Sequence, residues 1–298
     1  MKKIILLIAV ALFTLNIQAQ EKKALLIIAH GSMSQPWNIP VLNLEKQVKV
    51  ELAKQNIVGF EQVRVALMEV AKPTIADVIR DFEKQGVTDV YAVPLFIAPS
   101  GHSLFDVPAI LGLKYNKEKA DEIKGEGNEI VNTRIKITVG PSMEYENIIK
   151  DILLDKVKKL SVNPDSEALV ILAHGDENFE PLWENLVEET QNYILSKTGI
   201  DYSTYAFVEV GQSFSTDGVS AILQASNHKK KVIVIGMYLS MGVKQMADKP
   251  APLVMMGFSM DTKKFFKGKD IVFAQDGLLP DARISKWIVK RASEWLNK

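Results

Sequence analysis

The chain holds four histidines, and three of them stand where an imidazole can do chemistry. His30 ends the apolar run Ala24-Leu-Leu-Ile-Ile-Ala29, Glu69 follows Val65-Ala-Leu-Met68, and His102 closes Pro99-Ser-Gly-His102 just after an apolar stretch over residues 90–97. Two imidazoles and a carboxylate converging on one cleft suit a borderline divalent ion such as cobalt, nickel, iron or zinc. They also suit proton abstraction, because an imidazole titrates near neutral pH. A lone histidine at a strand end more often caps a turn, but three such positions together with Glu69 favour a site. The second half offers an incomplete set, His174 and Glu209, with Lys244 in place of the third group. A protonated lysine is a poor ligand beside a dication, so this half is expected to supply a wall, a charge or a substrate contact. His228, in the basic loop Ser226-Asn-His-Lys-Lys-Lys231, reads as a solvated surface residue.

These residues are placed by elements that occur twice. Ala24-Leu-Leu-Ile-Ile-Ala-His30-Gly31 returns as Ala168-Leu-Val-Ile-Leu-Ala-His174-Gly175, each a short apolar run entering a turn. Pro36-Trp37 has its counterpart in Pro181-Leu-Trp183, and helical stretches follow over residues 41–54 and 182–196. The second strand repeats with Glu69 over Glu209. The third repeats and continues without a gap, so that His102 lies over Lys244, Asp106 over Asp248 and Pro108 over Pro250. Fourth strands over residues 135–139 and 271–274 lead to terminal helices over residues 144–159 and 281–297. Strands alternating with helices predict an α/β fold of two duplicated halves, each a four-stranded parallel sheet flanked by helices, with the active cleft between them. The expected division is 23–160 and 167–298, joined at the Asn163-Pro164-Asp165 segment. Residues 114–134 are a polar insertion in the first half and read as a mobile surface segment with some helix. Open α/β sheets bind ligands beyond the carboxyl ends of their strands, where His30, Glu69, His102, His174 and Glu209 all fall. An internal duplication can replace a dimer, so a monomer is expected.

Residues 1–19 have the three parts of a secretory signal peptide: Lys2-Lys3, an apolar run over residues 4–15, and a polar stretch with a cleavage point near Ala19. The run is shorter than the roughly 20 residues that span a bilayer. The chain is therefore expected to be periplasmic or otherwise extracytoplasmic, with no membrane span once the signal is removed. It has no cysteine, which excludes disulfides and thiolate metal sites. With 36 basic and 36 acidic residues, nothing in the charge points to nucleic acid. A small-molecule role is the default.

Leu26-Ile-Ile-Ala-His30-Gly31-Ser32, Met68-Glu69-Val-Ala-Lys-Pro73-Thr74, and Val93-Pro94-Leu-Phe-Ile-Ala-Pro-Ser-Gly-His102 followed by Asp106-Val-Pro108 resemble the sirohydrochlorin chelatases. These are the small ATP-independent tetrapyrrole chelatases, which include the cobaltochelatases of vitamin B12 synthesis and relatives that insert iron or nickel. The Pro-Leu-Phe…Gly-His…Asp-x-Pro stretch is the most specific part, and the resemblance covers both halves from about Lys23. It implies a chelatase-like fold, with His30 and His102 as the metal-binding and catalytic pair, Glu69 as their acid, and the macrocycle seated between the halves. It also implies no tightly bound cofactor, with Co2+, Ni2+ or Fe2+ as substrate and a tetrapyrrole and the metal ion as partners. Ser32, Trp37, Phe96, Ser100, His174 and Glu209 are the candidate substrate contacts, and Phe105, Trp183 and Tyr238 are further aromatics that could stack on the ring. The sequence departs from the family at Met33, where an arginine is common, and at Lys72, where an acid is common.

The expected activity is metal insertion into a tetrapyrrole such as sirohydrochlorin. The alternative is an exported, non-enzymatic carrier of a tetrapyrrole or metal ion on the same fold. A serine hydrolase is disfavoured because no Gly-x-Ser-x-Gly elbow occurs. A P-loop and a dinucleotide fingerprint after the first strand are also absent.

Overall fold

The computed structural model describes residues 21–143, 147–248 and 264–298. The signal segment over residues 1–19, the first residues of the helix expected from 144, and Pro250 lie outside them.

In the first half, β1 (Lys23–His30) leads to helices α1 (Gln35–Leu42) and α2 (Leu44–Lys54), then β2 (Phe60–Met68), α3 (Ile75–Lys84) and β3 (Asp89–Pro94). A π-helical turn, His102–Asp106, runs into α4 (Val107–Ile110); α5 (Lys117–Gly125), β4 (Lys136–Val139) and α6 (Ile148–Leu160) follow. The second half has β5 (Glu167–Ala173), α7 (Glu180–Thr198), β6 (Ser203–Phe207), α8 (Val219–His228), β7 (Lys231–Met237), α9 (Val243–Asp248), β8 (Asp270–Phe273) and α10 (Ala282–Leu296). The sheets are parallel throughout and share one order, β2-β1-β3-β4 and β6-β5-β7-β8. The duplicated α/β fold expected from the repeats is the fold observed.

Both faces of each central strand are buried, which is why these strands read as unbroken apolar runs. In β1 the side chains alternate: Leu25, Ile27 and Ala29 enter a core continuous with the second half, while Ala24, Leu26 and Ile28 enter a separate core under α3 and α4. Thr74 starts α3 with a reciprocal capping box, its hydroxyl accepting from Asp77 N while the Asp77 carboxylate accepts from Thr74 N.

The division at residues 160–167 describes the sheets but not the helices. Helix α6 packs on α7 and β7 of the second half, and α10 packs on α2 and β3 of the first. Trp295 lies flat against Tyr91 (5.4 Å between centroids) and Phe60 (5.9 Å), with the Lys23 ammonium over its ring. The buried stripe Ile284, Trp287, Ile288 and Ala292 gives α10 its helical spacing. Because the two sheets are near copies, that spacing alone does not say which sheet the helix covers.

Glu167, 1% exposed, sits where the halves join. Its carboxylate accepts from Ser161 Oγ (2.5 Å), Val162 N (2.8 Å), Asn163 N (3.0 Å) and Lys231 Nζ (3.2 Å). Burial opposes its ionisation, but these donors outweigh burial and hold the carboxyl below its ordinary value. A depressed folded-state value stabilises the protein above the unfolded carboxyl value of about 4.3, and that contribution is lost as the pH falls through the folded value. In acid unfolding followed by circular dichroism, Glu167→Gln should therefore lower stability at neutral pH by about 1–3 kcal/mol. It should also flatten the dependence below about pH 4. Trp295→Ala should cost about 3 kcal/mol, and amide exchange should quicken in β3 of the first half rather than in β7 of the second.

Candidate metal centre

His30 and Met68 are register partners at the ends of β1 and β2, so the residue after each strand emerges at the same edge. Gly31 passes so close to the neighbouring chain that a Cβ there would lie 2.6 Å from both Met68 O and Ala71 Cβ, and its N–H donates to Met68 O (3.1 Å). Only glycine fits this approach. Glu69 takes the left-handed conformation (φ 63°), rare for a residue with a side chain, and its backbone N–H donates to Asn128 Oδ1 at 2.8 Å. The matching Glu209 is also left-handed (φ 47°), but its N–H donates to His174 O.

His102 enters from the π-helical turn. Ser100 and Ser103 set the turn up, each backbone N–H donating to the other's hydroxyl. The imidazole lies 6.3 Å from the Phe96 ring at 28° and meets the His30 ring edge-on at 5.1 Å.

Both rings have Nδ1 occupied. His30 Nδ1 donates to Gly31 O (2.5 Å) and His102 Nδ1 to Asp106 Oδ2 (2.7 Å), leaving each Nε2 to face Glu69. His30 Nε2 is 3.0 Å and His102 Nε2 3.9 Å from Glu69 Oε1. Lone pairs on nitrogen and carboxylate oxygen repel at 3.0 Å unless a proton or a metal ion lies between them. One ligand atom from each of His30, Glu69 and His102 falls within 4.8 Å of the others, and this is the one such group among the described residues. The donor set, with a carboxylate and a carbonyl behind the rings, suits a transition-metal ion.

The electrostatics point the same way. The hydrogen bond from His30 holds the Glu69 carboxyl below its ordinary value against burial, with the His102 charge adding to it. The bond to Asp106 raises His102 against burial. Asp106 itself, 3% exposed, is opposed by burial but kept ionised by His102 and by Lys119 Nζ (3.0 Å).

Lys119 and Asn128 both come from the polar segment over residues 114–134, which is largely exposed and carries the expected helix in α5, but which also supplies groups of the site. Two of its polar residues bind site groups: Lys119 neutralises Asp106 and Asn128 fixes the Glu69 backbone. Glu126, from the same segment, is pushed up by burial and by the Asp106 and Glu69 carboxylates. Nothing in the local sequence marks these three.

The centre opens on a cleft of about 460 Å³ between the halves. Trp37, Phe96, Ser100, His174 and Glu209 line it, as do Trp183 and Tyr238. Ser32 does not line it: its N–H donates to Asn38 Oδ1, its carbonyl accepts from Asn38 Nδ2 and its hydroxyl accepts from Ser34 N, so it ties the loop after His30. Trp37 Nε1 donates to His30 O, and Trp37 O accepts from Ser240 Oγ across the cleft. Phe105, 54% exposed, meets Phe179 of the second half at 6.5 Å. In the second half Lys244 Nζ binds Asp248 Oδ2 at 2.6 Å, repeating the His102–Asp106 pairing with a cation in the ring's place.

The sequence profile of the CbiX family matches residues 24–160. A sirohydrochlorin cobaltochelatase of Methanosarcina barkeri is 30% identical over 139 residues, which is 47% of this chain and 97% of that protein. One from Methanococcoides burtonii is 29% identical over 140 residues, covering 47% and 98%. Among solved structures, the sirohydrochlorin chelatase SirB of Bacillus subtilis subspecies spizizenii, in complex with cobalt, superposes with a TM-score of 0.57 at 16% identity over 92% of this chain and 96% of that one. That likeness extends the shared fold over both halves.

Replacing Asp106 by Asn removes the anion behind His102 and should weaken Co2+ binding about 10–100-fold by calorimetry. Asn128→Ala, which frees the Glu69 backbone, should weaken it less, with the circular dichroism spectrum unchanged in both variants.

Proposed function

The chain belongs to the CbiX family, and on that premise we propose that it inserts a divalent metal ion into a free-base tetrapyrrole without ATP, as a chelatase. The observation that carries this reading is the convergence of His30 Nε2, His102 Nε2 and Glu69 Oε1, with the two histidines lining the cleft between the halves and Glu69 set behind them. The metal is substrate here, cobalt, nickel or iron, and suits this nitrogen-rich donor set.

Insertion exchanges two ring N–H protons for a dication. The metal waits on the two imidazoles and Glu69, on one side of the macrocycle. As ring nitrogens replace these donors, the donors lose the metal and become bases, so the groups that delivered the ion can take the protons that leave. The protein ligands therefore end protonated where they began metallated, and solvent resets them. Asp106 stabilises His102 in the protonated state through its Nδ1 bond. The aromatic lining, Trp37 and Phe96 nearest the centre, offers faces on which a planar ring can stack. We place this activity outside the cytoplasm on the strength of the signal-like segment over residues 1–19.

The test uses the protein without residues 1–19, in catalytic amounts and under anaerobic conditions. It is mixed with a free-base tetrapyrrole, sirohydrochlorin and porphyrins in turn, and Co2+, Ni2+ or Fe2+, and the absorbance spectrum is followed. Multiple turnovers that fall by about 10²-fold or more in His30→Ala and His102→Ala are expected. A spectral change that ends at one equivalent would replace the enzyme by a carrier on the same fold.

A further inference from the structure

The described residues of the second half line the cleft with charge of one sign. Asp176, Glu177, Glu180 and Glu209 all face it, and among the described lining residues none is Lys or Arg. Glu177, Glu180 and Glu209 are exposed, and none of the four has a lysine or arginine within 4.0 Å among the described residues. Asp176 and Glu177 come from the turn that opens the second half's wall, opposite His102 and Ser100 of the first. The rest of the lining is apolar or aromatic, including Leu95, Phe96, Ile97, Trp183 and Tyr238. The exposed Val210 is also on the lining.

A cleft of this kind attracts a dication and repels a polyanion, and low-dielectric walls strengthen both effects. A tetrapyrrole ring presents a flat apolar face and a rim that bears its carboxylates. Recognition of a rim dense in carboxylates requires guanidinium or ammonium groups at the wall. The described wall instead offers carboxylates, and apolar surface suited to a rim with few charges. From this we infer, on the basis of the chelatase reading above, that the macrocycle this protein accepts is a sparsely carboxylated, largely apolar tetrapyrrole rather than an octacarboxylate of the sirohydrochlorin type. Glu177 and Glu180 are the residues that set this preference, while the same acidic lip draws the metal in.

Binding alone tests the inference and does not depend on turnover. Metal-free porphyrins bearing two, four and eight carboxylates are titrated into the protein lacking residues 1–19, with absorbance and tryptophan quenching as readouts, at low and at physiological salt. The dicarboxylate should bind at least about tenfold more tightly than the octacarboxylate, and the octacarboxylate's affinity should rise as salt screens the repulsion. Glu177→Gln with Glu180→Gln should narrow the gap chiefly by improving octacarboxylate binding. Tightest binding of the octacarboxylate, or an affinity for it that falls with salt, would overturn the inference and leave the chelatase reading standing. Failure of every macrocycle to bind would overturn both.

Discussion

An imidazole presents a chosen nitrogen in a fixed direction when the N–H of the other is held by an acceptor. The first half of this protein is organised around meeting that condition twice. For His30 the acceptor is the backbone carbonyl of Gly31, available because the chain turns tightly there against Met68. For His102 it is Asp106, one helical turn away and itself buried, which is kept ionised by Lys119 from a separate segment. Glu69 completes the set only because its backbone is held left-handed with its N–H on Asn128. The strands bring three residues to one edge, but it is these hydrogen bonds that turn proximity into a set of aligned donor atoms.

Much of the fold was legible because duplication makes the same statement twice. Two Ala-His-Gly strand ends, two glutamates after second strands and two Asp-x-Pro segments predict the α/β halves, and residues 30 and 69 follow from strand ends and 102 from the loop after the third strand. The supporting groups were hidden for a physical reason. Lys119 and Asn128 lie in a polar segment whose composition is that of any solvated loop, and a side chain that solvates a buried carboxylate looks, in sequence, like one that meets water. Ser32 was misleading in the opposite way: it sits in the His-Gly-Ser motif beside the centre, yet its polar groups are consumed in tying the loop to Asn38 and Ser34.

The second half shows what remains of the arrangement when the third group of the set is replaced. His174 keeps its Nδ1 contact to Gly175 O and Glu209 keeps its left-handed backbone, but Lys244 occupies the third position and pairs with Asp248. The backbone devices of the centre persist without their ligand set. What this half contributes to the cleft, among the described residues, is a wall of acids and aromatics on the same frame.

The crossing of α6 and α10 bears on how such a chain is put together. Each sheet is covered on one face by a helix that belongs, in sequence, to the other copy. A chain of one half alone, the length at which the archaeal relatives match, would leave that face bare unless a second molecule lent its terminal helix. Fusion then reads as a domain-swapped pair written into a single polypeptide: the exchange that two molecules would make by encountering each other becomes intramolecular, and the concentration dependence of assembly disappears. The cost is autonomy, since neither half keeps its full covering once the link at residues 160–167 is cut and the pieces part.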